Sequence, residues 1–114
     1  MIKTPINWDD FEKLDIRVGT IIEVRDFEKA RNPSYQITVD FGPLGIKKSS
    51  AQITALYSKE ELLDQQIIAI VNFPAKQIAN FISECLILGI YGNDPKEVTL
   101  ISPNLKVENG LKIG

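Results

Sequence analysis

Histidine is absent from this chain. Its absence removes Ser-His-Asp and Cys-His nucleophile activation and every histidine-based metal site. Cysteine is nearly absent: Cys85 stands alone, so neither an intrachain disulfide nor a multi-cysteine zinc site can form, which fits a reducing cytosol. The glycines are few, and they are spaced as neither G-x-G-x-x-G nor G-x-x-x-x-G-K-[ST], the two phosphate cradles of nucleotide cofactors. No apolar run approaches the roughly eighteen residues of a membrane span. The opening "MIKTPINWDDFEKLD" also lacks the apolar stretch of a secretory signal. The expectation is a cytoplasmic protein without metal, cofactor or membrane insertion, and no residue is assigned to catalysis.

What is there is ordinary for a folded domain: 114 residues, 44% apolar and 25% charged, with a net charge of −2. A chain of this length forms one domain, 1–114, and buries about two thirds of its unfolded surface. A net negative charge means that any nucleic-acid site must be a local patch rather than the whole surface. Of the acidic residues Asp9, Asp10, Asp40, Glu60 and Glu61, the pair Glu60-Glu61 reads as capping and dipole complement at a helix start and Asp40 as an outward strand residue, and none is assigned to catalysis.

Period-two alternation marks the strands. Ile16, Val18, Ile22 and Val24 alternate with Arg17, Gly19, Glu23 and Arg25, with Ile21 as an exception. Tyr35, Ile37, Val39 and Phe41 alternate with polar residues before the turn residues "GPLG". "IKKSSAQI" at 46–53 is a more polar third strand. Ser58 and Glu61 have the spacing of a capping box that opens a short helix. "QIIAIVNF" at 66–73 and "ECLILGIY" at 84–91 are apolar at both parities, as strands covered on both faces are, with a dimer interface one source of the second cover. Asn7 is placed to cap a single turn carrying Trp8, Phe11 and Leu14 as a lid. Five or six short strands with one short helix between the third and fourth predict an all-β fold, an OB-type five-stranded Greek-key barrel.

Two stretches carry the candidate chemistry. Lys47 and Lys48 beside Ser49, Ser50 and Gln52 are polar enough to meet phosphates or a peptide main chain; equally, lysines on a strand edge keep other chains from pairing there. In the loop "NFPAKQIANFIS", Lys76 and Gln77 precede Ile78 and Phe81. An aromatic beside a lysine suits base stacking with phosphate contact, or an apolar peptide side chain with a polar rim; a core position for Phe81 is the third alternative.

The motifs "DFEKLDIRVGTI", "FGPLGIKKSSAQIT", "VNFPAKQIANFISECLILG" and "NGLKIG" give the chain a close resemblance to the CsaA family. These are small homodimeric tRNA-binding-domain proteins described as export-related chaperones. The wider family includes the tRNA-binding domains of methionyl- and phenylalanyl-tRNA synthetases. The resemblance implies a dimerising OB barrel that binds unfolded or precursor polypeptides, with the protein-export machinery as a further partner, and it implies no enzyme. By matching position it places Lys48, Ser49, Ser50 and Gln52 in one part of the binding surface, and Asn72, Phe73, Pro74, Lys76, Ser83 and Glu84 in another. The chain departs from the family pattern at Gln77 and Ile82, where basic residues are common, and at Asn80, where glycine is common.

The first expectation is therefore a homodimeric chaperone holding apolar segments near Phe81 and Ile82. The second is a tRNA-binding module reading shape and backbone. With Lys47, Lys48 and Lys76 from each chain, a dimer neutralises at most about six phosphates, a logarithmic salt slope of at most roughly −4. Apolar residues of the tail, Leu105, Val107, Leu111 and Ile113, are expected at the dimer interface.

Overall fold

The alternating run that begins at Tyr35 forms a strand whose apolar members Tyr35, Ile37 and Val39 are all buried. The computed structural model describes residues 1–114. Its elements are α1 (Trp8–Glu12), β1 (Ile16–Asp26), β2 (Tyr35–Asp40), β3 (Ile46–Ala51), α2 (Lys59–Leu62), β4 (Gln66–Ile70), β5 (Lys76–Ile78), β6 (Phe81–Ser83), β7 (Leu86–Ile87), β8 (Gly89–Tyr91) and β9 (Val98–Leu100). One antiparallel sheet runs β3-β2-β1-β4-β7, and the pairs β5-β6 and β8-β9 are separate hairpins. The sheet curls into a nearly closed five-stranded barrel of the OB type around Ile21, Ile37, Val39, Phe41, Leu62 and Ile67. No helix is long and apolar enough to cross a membrane.

The capping box at α2 forms: the Ser58 side chain accepts from the Glu61 N–H at 3.2 Å, and Glu61 Oε1 accepts from the Ser58 N–H at 2.9 Å. These bonds to Ser58 hold the Glu61 carboxyl below its usual range. A depressed carboxylate contributes stability above its unfolded value near 4.5 that is lost as pH falls through the lower folded value, so α2 loosens only in acid. Ser58→Ala is expected to cost about 1 kcal/mol in urea unfolding at neutral pH. An unchanged midpoint would mean that the box contributes nothing.

Four expectations change. In β1 the exception Ile21 is the core residue, and Ile22 is exposed, because the register shifts between Ile21 and Glu23. A bulge there turns the alternation over. Ile16 and Val18 consequently face away from the barrel and, with Ile68 and Ile70, form a second apolar cluster. That cluster is covered by the chain itself, through Phe11, Leu14, Leu88 and Ile113. The two-faced apolar strands therefore have an intramolecular lid. Within α1, Phe11 contributes to this lid while Trp8 is 82% exposed. Finally, the run at 84–91 is not one strand: β7 belongs to the barrel and β8 to a hairpin with β9.

The tail lies along the first half of β1. Val18 donates its N–H to Leu111 O at 3.1 Å, Gly110 donates to Val18 O at 2.7 Å, and Ile113 donates to Ile16 O at 2.9 Å. Arg17 Nη1 adds a bond to Gly110 O at 3.0 Å.

Candidate functional site

Strand geometry separates the two adjacent lysines of β3. Lys47 pairs with Val39 and Ser49 with Ile37, so these residues share the barrel-facing side; Ser49 is buried and Lys47 half-buried there. Lys48 and Ser50 take the outer side. Register extends that outer side across three strands, in the rows Glu23, Thr38, Lys48 and Arg25, Gln36, Ser50. Thr38, Gln36, Glu23 and Arg25 were missed as neighbours of the candidate patch, although the outward parity of β1 and β2 was the signal for them. Gln52 is exposed just beyond the end of β3.

Ser83 and Glu84 close the barrel along the edge of β3. The Lys48 N–H donates to Glu84 Oε1 at 2.9 Å, and the Glu84 N–H donates to Lys48 O at 2.7 Å. The Ser50 N–H donates to the Ser83 hydroxyl at 3.2 Å. Two side chains thus stand in for rungs that a longer strand would supply. Cys85 follows this seam in the core, where burial foremost, and then the Glu84 charge, push its thiol up to about 12. It remains a neutral thiol at physiological pH and packs as a small apolar residue.

Charge on this outer surface is balanced. Arg25 pairs with Glu23 at 3.1 Å, and Lys48 has Glu84 bonded to its own amide. Across these four residues the charges cancel.

The β5–β6 hairpin adjoins this surface along the edge of β3. Its register pairs Lys76 with Ser83, Gln77 with Ile82 and Ile78 with Phe81 around the turn Ala79-Asn80, and Ala79 has φ 52°. Alternation puts Lys76, Ile78, Phe81 and Ser83 on one face. Phe81 is buried, its ring centroid 5.4 Å from that of Phe27, so it anchors the hairpin to the body. Gln77 and Ile82 share the outer face, and Ile82 is 47% exposed. The two positions that depart from the family pattern in charge are therefore cross-strand neighbours.

The entry to the hairpin is tied down. Asn72 accepts from the Asp15 N–H at 2.9 Å and donates to Lys13 O at 2.7 Å, so its amide links the end of β4 to the junction of α1 and β1. Phe73 and Pro74 follow it and are exposed. The structure thus brings Lys48, Ser50, Ser83 and Glu84 together, sets Lys76, Gln77 and Ile82 on the adjoining hairpin, and uses Asn72 internally. No group of three or more cysteine and acidic side chains gathers where a metal ion could be held.

Comparison with known proteins places this geometry. The family described as "Putative tRNA binding domain" matches residues 16–112. The chaperone CsaA of Bacillus anthracis str. Ames superposes with a TM-score of 0.92 at 46% identity, covering 97% of this chain and 100% of that one. The CsaA chaperone protein of Picrophilus torridus superposes with a TM-score of 0.90 at 51% identity, covering 96% of this chain and all of that one. Among curated proteins, a methionine–tRNA ligase of Pyrococcus abyssi is 33% identical over 108 residues, 95% of this chain. The chain spans only 14% of that ligase's length.

Proposed function

From the premise that the chain belongs to the tRNA-binding-domain family and, within it, to the CsaA group, we propose that it acts as a homodimeric chaperone. It holds unfolded or secretory precursor polypeptides on the outer face of the β5–β6 hairpin. The observation that carries this reading is the exposed Ile82 opposite the uncharged Gln77. An apolar side chain beside a polar rim suits segments of an unfolded chain. The cancelled charges around Lys48 also leave little net attraction for phosphates at the neighbouring wall.

Dimerisation is supported by apolar surface that the chain leaves uncovered. Trp8, Tyr91 at 79% and Leu105 at 75% are exposed, as are Val107 and Leu111. A second copy would cover such a surface. The role is binding without catalysis, in the cytoplasm, with the protein-export machinery as the partner that would receive the polypeptide. A second reading, a tRNA-binding module, is favoured by the family match over 16–112 and by the exposed Lys48 and Lys76.

The test is capture of a labelled, unfolded apolar polypeptide by the wild type and by a Phe73→Ser, Ile82→Ser double variant. Both replaced side chains are about half exposed, so the variant is expected to fold and to bind at least about tenfold more weakly. Equal capture would remove the hairpin face from the site. Phe81 is not the position to change, since its burial makes Phe81→Ser a test of folding.

A further inference from the structure

The β5–β6 hairpin has one edge committed and one free. Its β6 side lies against β3, where Ser83 and Glu84 occupy the Ser50 and Lys48 amides. The β5 side faces no other strand of the chain. In a hairpin with a two-residue turn, the pair next to the turn exchanges the ladder bonds and the next pair does not. Ile78 and Phe81 are the first pair, and Gln77 and Ile82 the second. The Gln77 N–H and C=O therefore point away from β6, and no loop or turn residue bonds to them.

We propose that this free edge is a strand-addition site: the main chain of an extended polypeptide pairs with the Gln77 N–H and C=O, and its side chains lie beside Ile82. The inference rests on the polypeptide-binding reading above and names its mode. Chemistry selects the occupant. The edge offers a donor and an acceptor on one residue, which a peptide backbone matches in both directions. A sugar–phosphate backbone presents acceptors at its phosphates and a donor only at the ribose 2′-hydroxyl, which does not repeat the strand spacing of paired N–H and C=O groups. Pairing through the main chain is indifferent to sequence, as capture of varied unfolded segments requires. With a three-residue strand each edge contributes little, so two edges in a dimer acting on one polypeptide strengthen the hold through effective concentration.

Proline at this position separates main-chain from side-chain recognition. Because the Gln77 N–H takes no part in the hairpin ladder, Gln77→Pro is compatible with the fold while it removes the donor and blocks pairing. Gln77→Ala keeps the donor and removes only the side chain. The probe is an extended Val/Thr-rich peptide, and its counterpart with alternate amides N-methylated. Anisotropy titrations should show Gln77→Pro at least about tenfold weaker than wild type and clearly weaker than Gln77→Ala, with the N-methylated probe weak on all three. Wild-type affinity for the N-methylated probe equal to that for the parent peptide would overturn the proposal even if Gln77→Pro misfolded. So would equal binding by Gln77→Pro, or an alanine variant as weak as the proline one. Absence of any wild-type binding to the parent peptide would instead remove the polypeptide reading, and this mode with it.

Discussion

Gly110→Ala is expected to destabilise the protein by at least about 2 kcal/mol, the sum of a left-handed backbone penalty and a steric one. Gly110 has φ +92°, and a Cβ built on it lies 2.4 Å from the carbonyl oxygen of Phe41, a backbone atom that cannot swing aside. The residue also begins the pairing of the tail with β1, donating to Val18 O and accepting from Arg17. Gly42 makes the reciprocal approach, at φ +63° with its would-be Cβ 2.4 Å from Asn109 O. The variant should melt roughly 10 °C lower. It should also lose hydrogen-exchange protection at the Val18 amide, which donates to Leu111 O. Because Leu105, Val107 and Leu111 lie in the same tail, the proposed dimer should weaken in parallel. A melting temperature within a degree or two of wild type would mean that the tail is not locked to the barrel.

The second large effect is on charge. With Lys47 half-buried on the barrel side, each chain offers Lys48 and Lys76 to an RNA, so the proposed dimer would neutralise about four phosphates, a logarithmic salt slope of roughly −3. Gln77→Lys with Ile82→Lys adds two cations per chain on one face, since these residues are directly opposite. The slope should steepen to roughly −6, and bulk tRNA should lose about 50-fold more affinity than with wild type between 50 and 200 mM salt. The variant should also bind tRNA more tightly at low salt and the apolar polypeptide more weakly. A salt slope unchanged by four new charges per dimer would place any RNA contact elsewhere.

How far the sequence reached depended on the range of the interactions involved. The capping box at Ser58 and Glu61 was legible because both partners lie within one turn. The strand β2 was legible because period-two alternation needs no knowledge of the partner, and β3 as the more polar run that follows its turn. Ile21 was misplaced because a bulge inverts the alternation, and what fixes the bulge is the register with β2. Ser83 and Glu84 were legible as polar candidates, but not as rungs closing the barrel, since their partners are more than thirty residues away. Asn72 was similar: its amide is used by Lys13 and Asp15, nearly sixty residues distant. The opposite facing of Lys47 and Lys48 follows from strand parity alone. The cover over the two-faced strands was the least legible, because either the chain ends or a second copy satisfies the same apolar pattern.

The hairpin face is proposed to hold polypeptide in preference to RNA. Its most direct test is a competition in which a labelled, unfolded apolar polypeptide is bound to the wild-type protein and bulk tRNA is titrated in, at low salt and again at physiological salt. A polypeptide-holding hairpin should show binding that changes little with salt, with displacement by tRNA confined to low salt. Efficient displacement by tRNA at physiological salt, or failure to bind the polypeptide at either salt, would contradict it.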